Sequence, residues 1–496
     1  MSQITPPSTT PRGRLIRGPW RRAGRAFQAA TASRLTADWP LFSGDINQEL
    51  RHALPVLRAR GRDLEQNTAH GRRYLQLVET HIVGAAGFGL QVRGELRSGK
   101  TDQAGNRAVE RGFARWAKRG VCTLDGRHAF ADFCRLAVRG LARDGEALVR
   151  FWDVRPTPAN PAGFCVELLD PARLDHQRWD DHPRIRLGVE LGTDNRPRAY
   201  HLLTGRDLPS YGETHQRVPA EDLLHLYRPD VPEQVRGASW LAVVAVDLHM
   251  RDAYQDAAVV AARVGASKLG FYKTPDGRLE SLADGAKPDD AKKDEDEFFT
   301  EVEPGHFSSL PPGYEFQGFS TDYPDAAYEP FIRAIDRWAA SALGVSYHAL
   351  TGDLRDVNFS SIRSGTLEER ERWMVLQDFI ADALLTPIYL RWLSAALAQG
   401  ALGVRLDPQE ALVRYGEHKW QGRRWPWVDP QSDIEATRLA ISSGLKSPQQ
   451  AAAESGGDLE DLIDQLAAAQ QLAEAKGVAL NWLAPTIPAT QPAGTP

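Results

Sequence analysis

Residues 331–365 read FIRAIDRWAASALGVSYHALTGDLRDVNFSSIRSG, and this stretch determines how the rest of the chain is interpreted. Its first part carries apolar residues on a helical period, at positions 331, 335, 338 and 342. The period stops at 343–345, and the run from 358 to 365 is polar and rich in serine. Helical periodicity resumes at Leu367 and continues past Trp392. The pattern predicts two helices that flank an irregular polar loop.

The second of these helices, expected over residues 367–400, has two further features. Glu368 and Arg372 are spaced for an ion pair across one helical turn. Pro387 lies well inside the helix, where a proline removes one backbone hydrogen bond and crowds the preceding turn. We therefore expect the helix to be kinked near Pro387.

Length and composition favour a multi-module globular protein. A chain of 496 residues is too long for one compact core. Hydrophobic and charged contents of 42% and 25% are typical of soluble proteins. The three cysteines are too few and too scattered for a disulfide framework or a zinc site, which favours buried thiols in a reducing compartment. No apolar run reaches membrane-spanning length and no apolar segment follows the N-terminal arginines, so we expect neither a membrane span nor a signal peptide.

Charge is distributed unevenly along the chain. Residues 1–40 carry seven arginines ahead of the first acidic residue, Asp38, together with several prolines, which predicts a disordered basic arm. Residues 284–303 hold nine acidic residues and three lysines, a local charge of −6 against −5 for the whole chain. Each segment is compatible both with a solvated, disordered role and with binding to a partner.

The period of the apolar residues changes from helical to two-residue along the chain, which indicates an α+β fold rather than alternating βαβ units. Helical spacing covers 45–62, 67–83, 106–118 and 128–142. Two-residue alternation, typical of an antiparallel β module, covers 146–152, 164–168, 188–191 and 198–203. A long helix rich in alanine and valine is expected from 240 to about 263. The remaining elements are strands at 269–273, 305–310 and 314–319 around the acidic segment, and helices at 433–442 and 458–476.

One stretch matches a catalytic pattern. Gly94 to Thr101 (GELRSGKT) fits the spacing of a phosphate-binding P-loop, in which backbone amides and the lysine hold phosphates and the hydroxyl binds magnesium. The context is unfavourable, because residues 90–93 alternate as a half-exposed strand does and 102–106 are poor helix formers. The sequence contains no H-E-x-x-H, no G-x-S-x-G and no histidines at metal-ligand spacing. We favour a surface turn and expect no catalytic residue, cofactor or metal, with a P-loop NTPase as the alternative.

Several short stretches form a recognisable combination. They are residues 60–67 with 80–84, 166–174 with 188–191, 236–240, 343–353 with 357–361, and 428–430 with 444–445. In this order they resemble the lambda-type portal proteins of tailed bacteriophages, over about residues 60–445. The part around 343–361 is the most specific, whereas the acidic segment and both tails lie outside the resemblance.

The resemblance implies an α+β portal fold with an α/β wing, long stem helices, a small β clip and a helical C-terminal crown region, assembled as a ring. It implies these boundaries: arm 1–40, wing 41–239, stem helix 240–267, clip 268–320 with the acidic insertion 284–303, second stem helix 321–345, tunnel loop 346–366, long kinked helix 367–400, C-terminal wing and crown helices 401–480, and disordered tail 481–496.

The same resemblance implies a function. Portal proteins of this family form a ring, usually dodecameric, at one vertex of the phage head, where the ring conducts double-stranded DNA during packaging and ejection. It would assemble in the host cytoplasm and end in the virion. Implied partners are the terminase large subunit, head-completion or connector proteins, and the major capsid and scaffold proteins, with no membrane. A different DNA-contacting head-assembly protein is a further alternative.

The tunnel loop is the predicted site, with Arg355, Asn358, Phe359, Ser360, Ser361 and Arg363 as the channel residues. A mildly acidic chain with a polar loop suits DNA that must slide, because each additional phosphate contact deepens a salt-dependent trap. Arg355 and Arg363 are the two arginines of the loop, and each is expected to face DNA or a neighbouring subunit. An ion pair within the subunit, such as Arg355 with Asp353, is the open alternative for each.

Overall fold

The computed structural model describes residues 40, 44–204, 215–266, 270–273, 315–318, 327–355, 359–404, 406–425, 430–454, 457 and 459–478. The chain divides into two units, 1–45 and 46–496, and every helix and strand below lies in the second. The predicted arm, the acidic segment 284–303, the predicted strand 305–310 and the tail 481–496 lie outside the described residues.

The N-terminal part is mainly helical, as the sequence predicts. Its elements are α1 (Ile46–Asn67), α2 (Ala69–Val78), a π-helical turn (Glu79–Val83), β1 (Gly89–Val92), α3 (Gln103–Trp116) and α4 (Phe130–Asp144). Helix α1 runs five residues beyond the predicted end because Leu64 continues its buried face. Thr68 then starts α2, since its hydroxyl oxygen accepts a hydrogen bond from the Gly71 amide at 3.0 Å.

Two antiparallel sheets follow, as the two-residue alternation predicts. The strands are β2 (Glu146–Asp153), β3 (Phe164–Leu169), β4 (Asp180–Asp181), β5 (Arg184–Arg186), β6 (Val189–Leu191), β7 (Pro197–Leu203), β8 (His215–Pro219) and β9 (Leu223–Tyr227). One sheet has the order β3-β2-β9 and the other the order β4-β5-β6-β7-β8. Every described strand pair is antiparallel, which confirms a mixed α+β fold.

A second helical part follows the sheets. A 3₁₀ turn (Ala242–Val244) leads into α5 (Ala245–Ala266). The short strands β10 (Gly270–Lys273) and β11 (Glu315–Gly318) pair with each other, and α6 (Tyr328–Leu343) and α7 (Tyr347–Thr351) come next. The helix predicted over 331–342 is therefore confirmed, whereas the predicted loop after it contains the short helix α7.

The next helix begins earlier than the sequence predicts. It comprises α8 (Phe359–Ile380), a π-helical turn (Ala381–Leu385) and α9 (Thr386–Ala398). The predicted loop is wrong over 359–366. Serine and glycine lower the stability of a helix only slightly, and the packing of the later turns of α8 can stabilise these first turns. A π-helical turn lies directly before Pro387, at the point where the sequence predicts a kink.

The helical run Gly365–Ala398 is long and apolar enough, by length and composition alone, to cross a membrane. The expectation that no segment reaches this length is therefore wrong. Its apolar side chains include Trp373, Ile380, Leu384 and Trp392, all of which are buried inside the protein. Buried core helices pass the same test, so the finding is weak support for a membrane span.

The C-terminal part contains α10 (Pro408–Gly416), β12 (His418–Gln421), α11 (Pro430–Ser442), α12 (Pro448–Glu454) and α13 (Leu459–Ala475). The two helices predicted at 433–442 and 458–476 are confirmed as α11 and α13. Strand β12 pairs with β1, so the C-terminal part closes onto the N-terminal helices.

Buried apolar side chains form two clusters. The larger joins α2, α3, α4, α6, α8 and α9, and includes Phe113, Val138 and Leu393. The smaller lies against the five-stranded sheet and includes Leu148 and Leu202. The three cysteines are free and buried, as predicted from their number and spacing. Burial raises the pKa of the Cys122 thiol to about 12, which favours the protonated thiol at neutral pH.

Candidate channel segment and its supports

The structure describes only part of the predicted channel residues. Arg355 is described in full, and Asn358 lies outside the described residues. Phe359, Ser360, Ser361 and Arg363 lie in the first two turns of α8, where the structure describes the backbone alone. The non-helical part of the described segment is therefore 352–355, between α7 and the start of α8.

Arg355 forms the ion pair within the subunit that the sequence left as an alternative. Its guanidinium contacts Asp353 at 3.0 and 3.1 Å and the Glu329 carboxylate at 2.8 Å. The hydrogen bond from Arg355 holds the pKa of Asp353 well below its ordinary value. The Arg355 side chain is nevertheless 65% exposed. A phosphate that reached Arg355 would thus compete with carboxylates already in place.

Helix α7 is fixed on several sides. Arg73 of α2 donates to the Ala349 carbonyl oxygen at 2.9 Å, and Leu350 is buried. The Tyr347 hydroxyl donates to Asp353 at 3.1 Å, which also orients the carboxylate that holds Arg355. Gly352 ends the helix at φ +75°, a conformation that favours glycine. Residues 347–353 therefore form a helical corner.

Helix α8 holds the junction between α6 and α7. Arg372 donates to the carbonyl oxygen of Leu343 at the end of α6, instead of forming the predicted pair with Glu368. Glu369 accepts a hydrogen bond from the Ser346 amide at 3.1 Å. Gly344 has φ +64°, and a Cβ there would overlap the Arg372 guanidinium. The positive φ favours glycine at this position, and a larger residue would also displace the Arg372 guanidinium from the Leu343 carbonyl oxygen.

A charged cleft of about 440 Å³ lies beside this corner, between α2, α5, α6 and α7. Asp336 is buried at its base, 2.8 Å from Arg251 Nε and 3.3 Å from His70 Nε2. Burial alone would raise the pKa of Asp336, but the close contact with His70 and the hydrogen bonds from Arg251 outweigh it, and the pKa lies below its ordinary value. The Asp336 carboxylate thereby connects α6 with α2 and α5.

A second buried ion cluster contains Arg236, the first residue of the 236–240 stretch. The sequence analysis did not predict this cluster. Arg236 is fully buried and contacts Glu146 at 2.5 and 2.7 Å. His225 and Arg58 contact the same carboxylate at 2.8 and 3.2 Å. A Cβ on Gly237 would overlap the carbonyl oxygen of Gly145, so the two segments can approach only through glycine. The Arg236-Gly237 pair was the one sign of this cluster in the sequence, and apolar periodicity does not detect such a pair.

The stretch from Gly94 to Thr101 does not have phosphate-binding geometry. It forms a turn closed by hydrogen bonds from Leu96 N to Lys100 O and from Gly99 N to Leu96 O, at 2.7 and 2.9 Å. The preceding strand β1 is paired antiparallel with β12. The Asp102 carboxylate caps α3 by accepting from the Gly105 amide, so a negative charge occupies the helix end that a phosphate would need. The P-loop alternative is therefore wrong.

Metal binding has no support in the described part of the chain. Among those residues no group of three histidine, cysteine, aspartate or glutamate side chains is arranged to hold a metal ion.

Comparison with known proteins decides the family. The sequence matches the profile described as "Phage portal protein, lambda family" over residues 32–377. The chain belongs to this family. Relatives of this portal protein include a probable portal protein of Halomonas phage phiHAP-1, 31% identical over 89% of this chain and 85% of that protein. Portal protein of Escherichia phage N15 is 23% identical, and portal protein B of Escherichia phage lambda is 22% identical, each over 82% of both chains.

Solved structures with a similar chain come from gene transfer agent particles. A chain from the virion of a native particle gives a TM-score of 0.42 at 14% identity, covering 82% of this portal protein and 94% of that chain. A chain from the neck of a native particle, computed with C12 symmetry, gives 0.41 at 14% identity, covering 80% and 90%. The portal family is a structural one.

Proposed function

We propose that this portal protein assembles as a ring, most simply of twelve subunits, at one vertex of a phage capsid. The ring conducts double-stranded DNA during packaging and ejection, and it acts without catalytic residues or cofactors. Membership of the lambda portal family over residues 32–377 carries this proposal. The protein would assemble in the host cytoplasm and remain in the virion.

Exposed apolar side chains on α5 and α6 support assembly into a ring. Val246 and Met250 of α5 are 61% and 63% exposed, and Phe331 and Trp338 of α6 are also exposed. Large apolar side chains on adjacent helices are costly in water and are typical of surfaces that another protein covers. We assign α5 and α6 to the stem, residues 240–267 and 321–345, where neighbouring subunits would cover them.

The remaining regions follow the family organisation. Residues 41–239 form the wing, 268–320 the clip, 367–400 the long helix behind the channel segment, and 401–480 the C-terminal wing and crown. The terminase large subunit and the connector proteins would dock on the clip, which begins at β10 and includes β11. The major capsid and scaffold proteins would contact the outer surface of the ring.

The channel segment is the part of 346–366 that follows α7. Arg355, Asn358, Phe359, Ser360, Ser361 and Arg363 would line or border the DNA path. The exposed Arg355, restrained by Asp353 and Glu329, supports this assignment, because a partly neutralised cation makes weak contact with sliding phosphates.

Imaging the purified protein tests the ring. Negative-stain micrographs should show annular oligomers, and a monomer or dimer at micromolar concentration would contradict the proposal. Capture of the terminase large subunit that depends on 268–320 would separate a portal from another head-assembly protein.

The channel segment needs a separate test. Deletion of 357–361, or Asn358→Pro, should block DNA packaging while rings still form. Asn358→Ala is the matched control, because it removes the amide but keeps the chain length and a helix-compatible backbone. Unimpaired packaging by the deletion variant would rule out the channel assignment.

A further inference from the structure

The outer face of α3 carries a row of basic side chains that has no role in the proposed channel. Arg107, Arg111 and Arg115 repeat every four residues and therefore lie on one face of the helix. Lys118 extends the row just beyond the helix end. All four side chains are exposed, whereas the opposite face of α3 is buried in the core.

An acidic helix of the same chain already contacts the beginning of this row. Gln103 Nε2 donates to the Glu460 carboxylate at 3.4 Å, and Arg107 Nη2 contacts Asp464 at 2.5 Å. Gln103 and Arg107 are four residues apart, and so are Glu460 and Asp464. Over one helical turn, the two acidic residues of α13 therefore contact the two residues of α3 at the same spacing.

Beyond this contact the row borders an open groove of about 570 Å³. The groove is lined by Ala108, Arg111, Ala114, Arg115, Lys118 and Leu402. The alanines and the leucine give it an apolar part, and the three cations give it a positive rim. In the part of the chain that the structure describes, neither Arg115 nor Lys118 pairs with an acidic side chain.

We infer that this groove binds an acidic amphipathic helix of a partner protein. Two carboxylates one turn apart would face Arg111 and Arg115, repeating the spacing by which α13 contacts Gln103 and Arg107. An apolar side chain of the same partner helix would contact Leu402 and the two alanines. The inference does not depend on the channel assignment, because it concerns a different face of the molecule and a different ligand.

A nucleic acid fits this surface less well than an acidic helix. Contacts to a phosphate backbone need cations but not an apolar lining, and they are made at the spacing of phosphates along a strand. Here the cations follow the repeat of a single helix beside alanine and leucine side chains. That arrangement matches the two faces of an amphipathic helix.

The chain supplies its own probe. A fluorescein-labelled peptide of residues 459–475 carries Glu460 and Asp464 at the required spacing, and its binding to the full-length protein is measured by fluorescence anisotropy. We expect saturable binding that weakens as ionic strength rises from about 0.05 to about 0.3 M. Arg111→Gln with Arg115→Gln should weaken binding about tenfold, as expected for the loss of two exposed ion pairs.

Three controls make the outcome decisive. Arg127→Gln changes another exposed arginine and should leave binding unchanged. A peptide with Glu460→Gln, Asp461→Asn and Asp464→Asn should not bind. Arg107→Gln should have a smaller effect than the double variant, because the peptide is expected in the open groove.

The inference is overturned if the wild-type protein does not bind the peptide, or if only Arg107→Gln weakens binding. It is equally overturned if a DNA duplex of about 20 base pairs binds the same arginines more tightly than the peptide, since the row would then be a phosphate-binding surface.

Discussion

The Glu146 carboxylate connects three segments that lie far apart in the sequence. Its fully buried carboxylate contacts Arg58 of α1, His225 of β9 and Arg236 ahead of α5. Burial alone would raise the pKa of Glu146, but Arg236 and His225 outweigh it and hold the pKa far below its ordinary value. The carboxylate is therefore ionised in the folded protein, and removing its charge would leave buried cations without compensation.

We expect Glu146→Gln to lower the free energy of unfolding by about 3–5 kcal/mol, because it breaks a buried ion cluster by removing one partner. Urea unfolding followed by circular dichroism measures the loss. Arg217→Gln is the matched control, since the Arg217 side chain that pairs with Glu190 is itself exposed, and its unfolding midpoint should stay near that of wild type. Equal midpoints for all three proteins would show that the cluster does not stabilise the fold.

His81 makes stability depend on pH. Its imidazole stacks between Trp373 and Trp425, with ring centroids 5.2 and 5.9 Å away. Burial, with a smaller effect of Arg423, lowers the pKa of His81 to about 4, although Glu369 opposes this. The unfolded chain therefore takes up the proton first, so His81 contributes full stability above about pH 6.5 and loses it as pH falls toward 4.

His81→Gln tests this dependence, because glutamine keeps an acceptor for Trp425 Nε1 but does not titrate. The thermal unfolding midpoint of the variant should change less between about pH 7 and about pH 5 than that of wild type. Arg423 and Arg370 face the same ring system and stay charged over this range, so they do not mask the difference. Parallel pH profiles would contradict the assignment.

At the scale of secondary structure, the junction of α6, α7 and α8 depends on one glycine. Gly344→Ala would place a Cβ against Arg372 and force an unfavourable positive φ, so we expect a loss of about 1–2 kcal/mol of unfolding free energy. Gly365→Ala is the matched control, and it should raise rather than lower the free energy of unfolding. Gly365 lies within α8 with nothing near its Cβ position, and alanine there should add about 0.5–1 kcal/mol. The same urea titration compares the two, and a Gly344→Ala variant as stable as wild type would show that the junction does not need glycine at this position.

Local patterns predicted most helices and the first strands, and failed where the deciding contact lies far along the chain. Helices α3, α4, α6 and α13 follow from periodicity, because each has one apolar face. The pairing of β1 with β12 joins residues more than 300 positions apart, and no local alternation indicates it. The early start of α8 has the same origin, since its weak first turns extend a helix held by later contacts.

The candidate site was predictable in part, for a related reason. The break after α6 follows from the loss of the apolar period at Gly344. The contacts of Arg372 and Glu369 with that break come from the next helix, and the spacing of Glu368 and Arg372 suggested a different pair. Sequence spacing along one helix therefore located the segment but could not identify what holds it.

At the scale of the whole molecule, the exposed apolar face of α5 is where assembly can be tested. Val246→Glu with Met250→Glu puts two charges on a surface that neighbouring subunits would cover, so ring formation should fail while the subunit still folds. Mass photometry distinguishes a 54.9 kDa subunit from a ring of about twelve times that mass, and circular dichroism verifies the helical content. Val413→Glu, at another exposed valine in α10, is the control and should still form rings. Rings formed equally well by the α5 variant would show that this face is not a subunit interface, and the stem would then have to be sought in other helices.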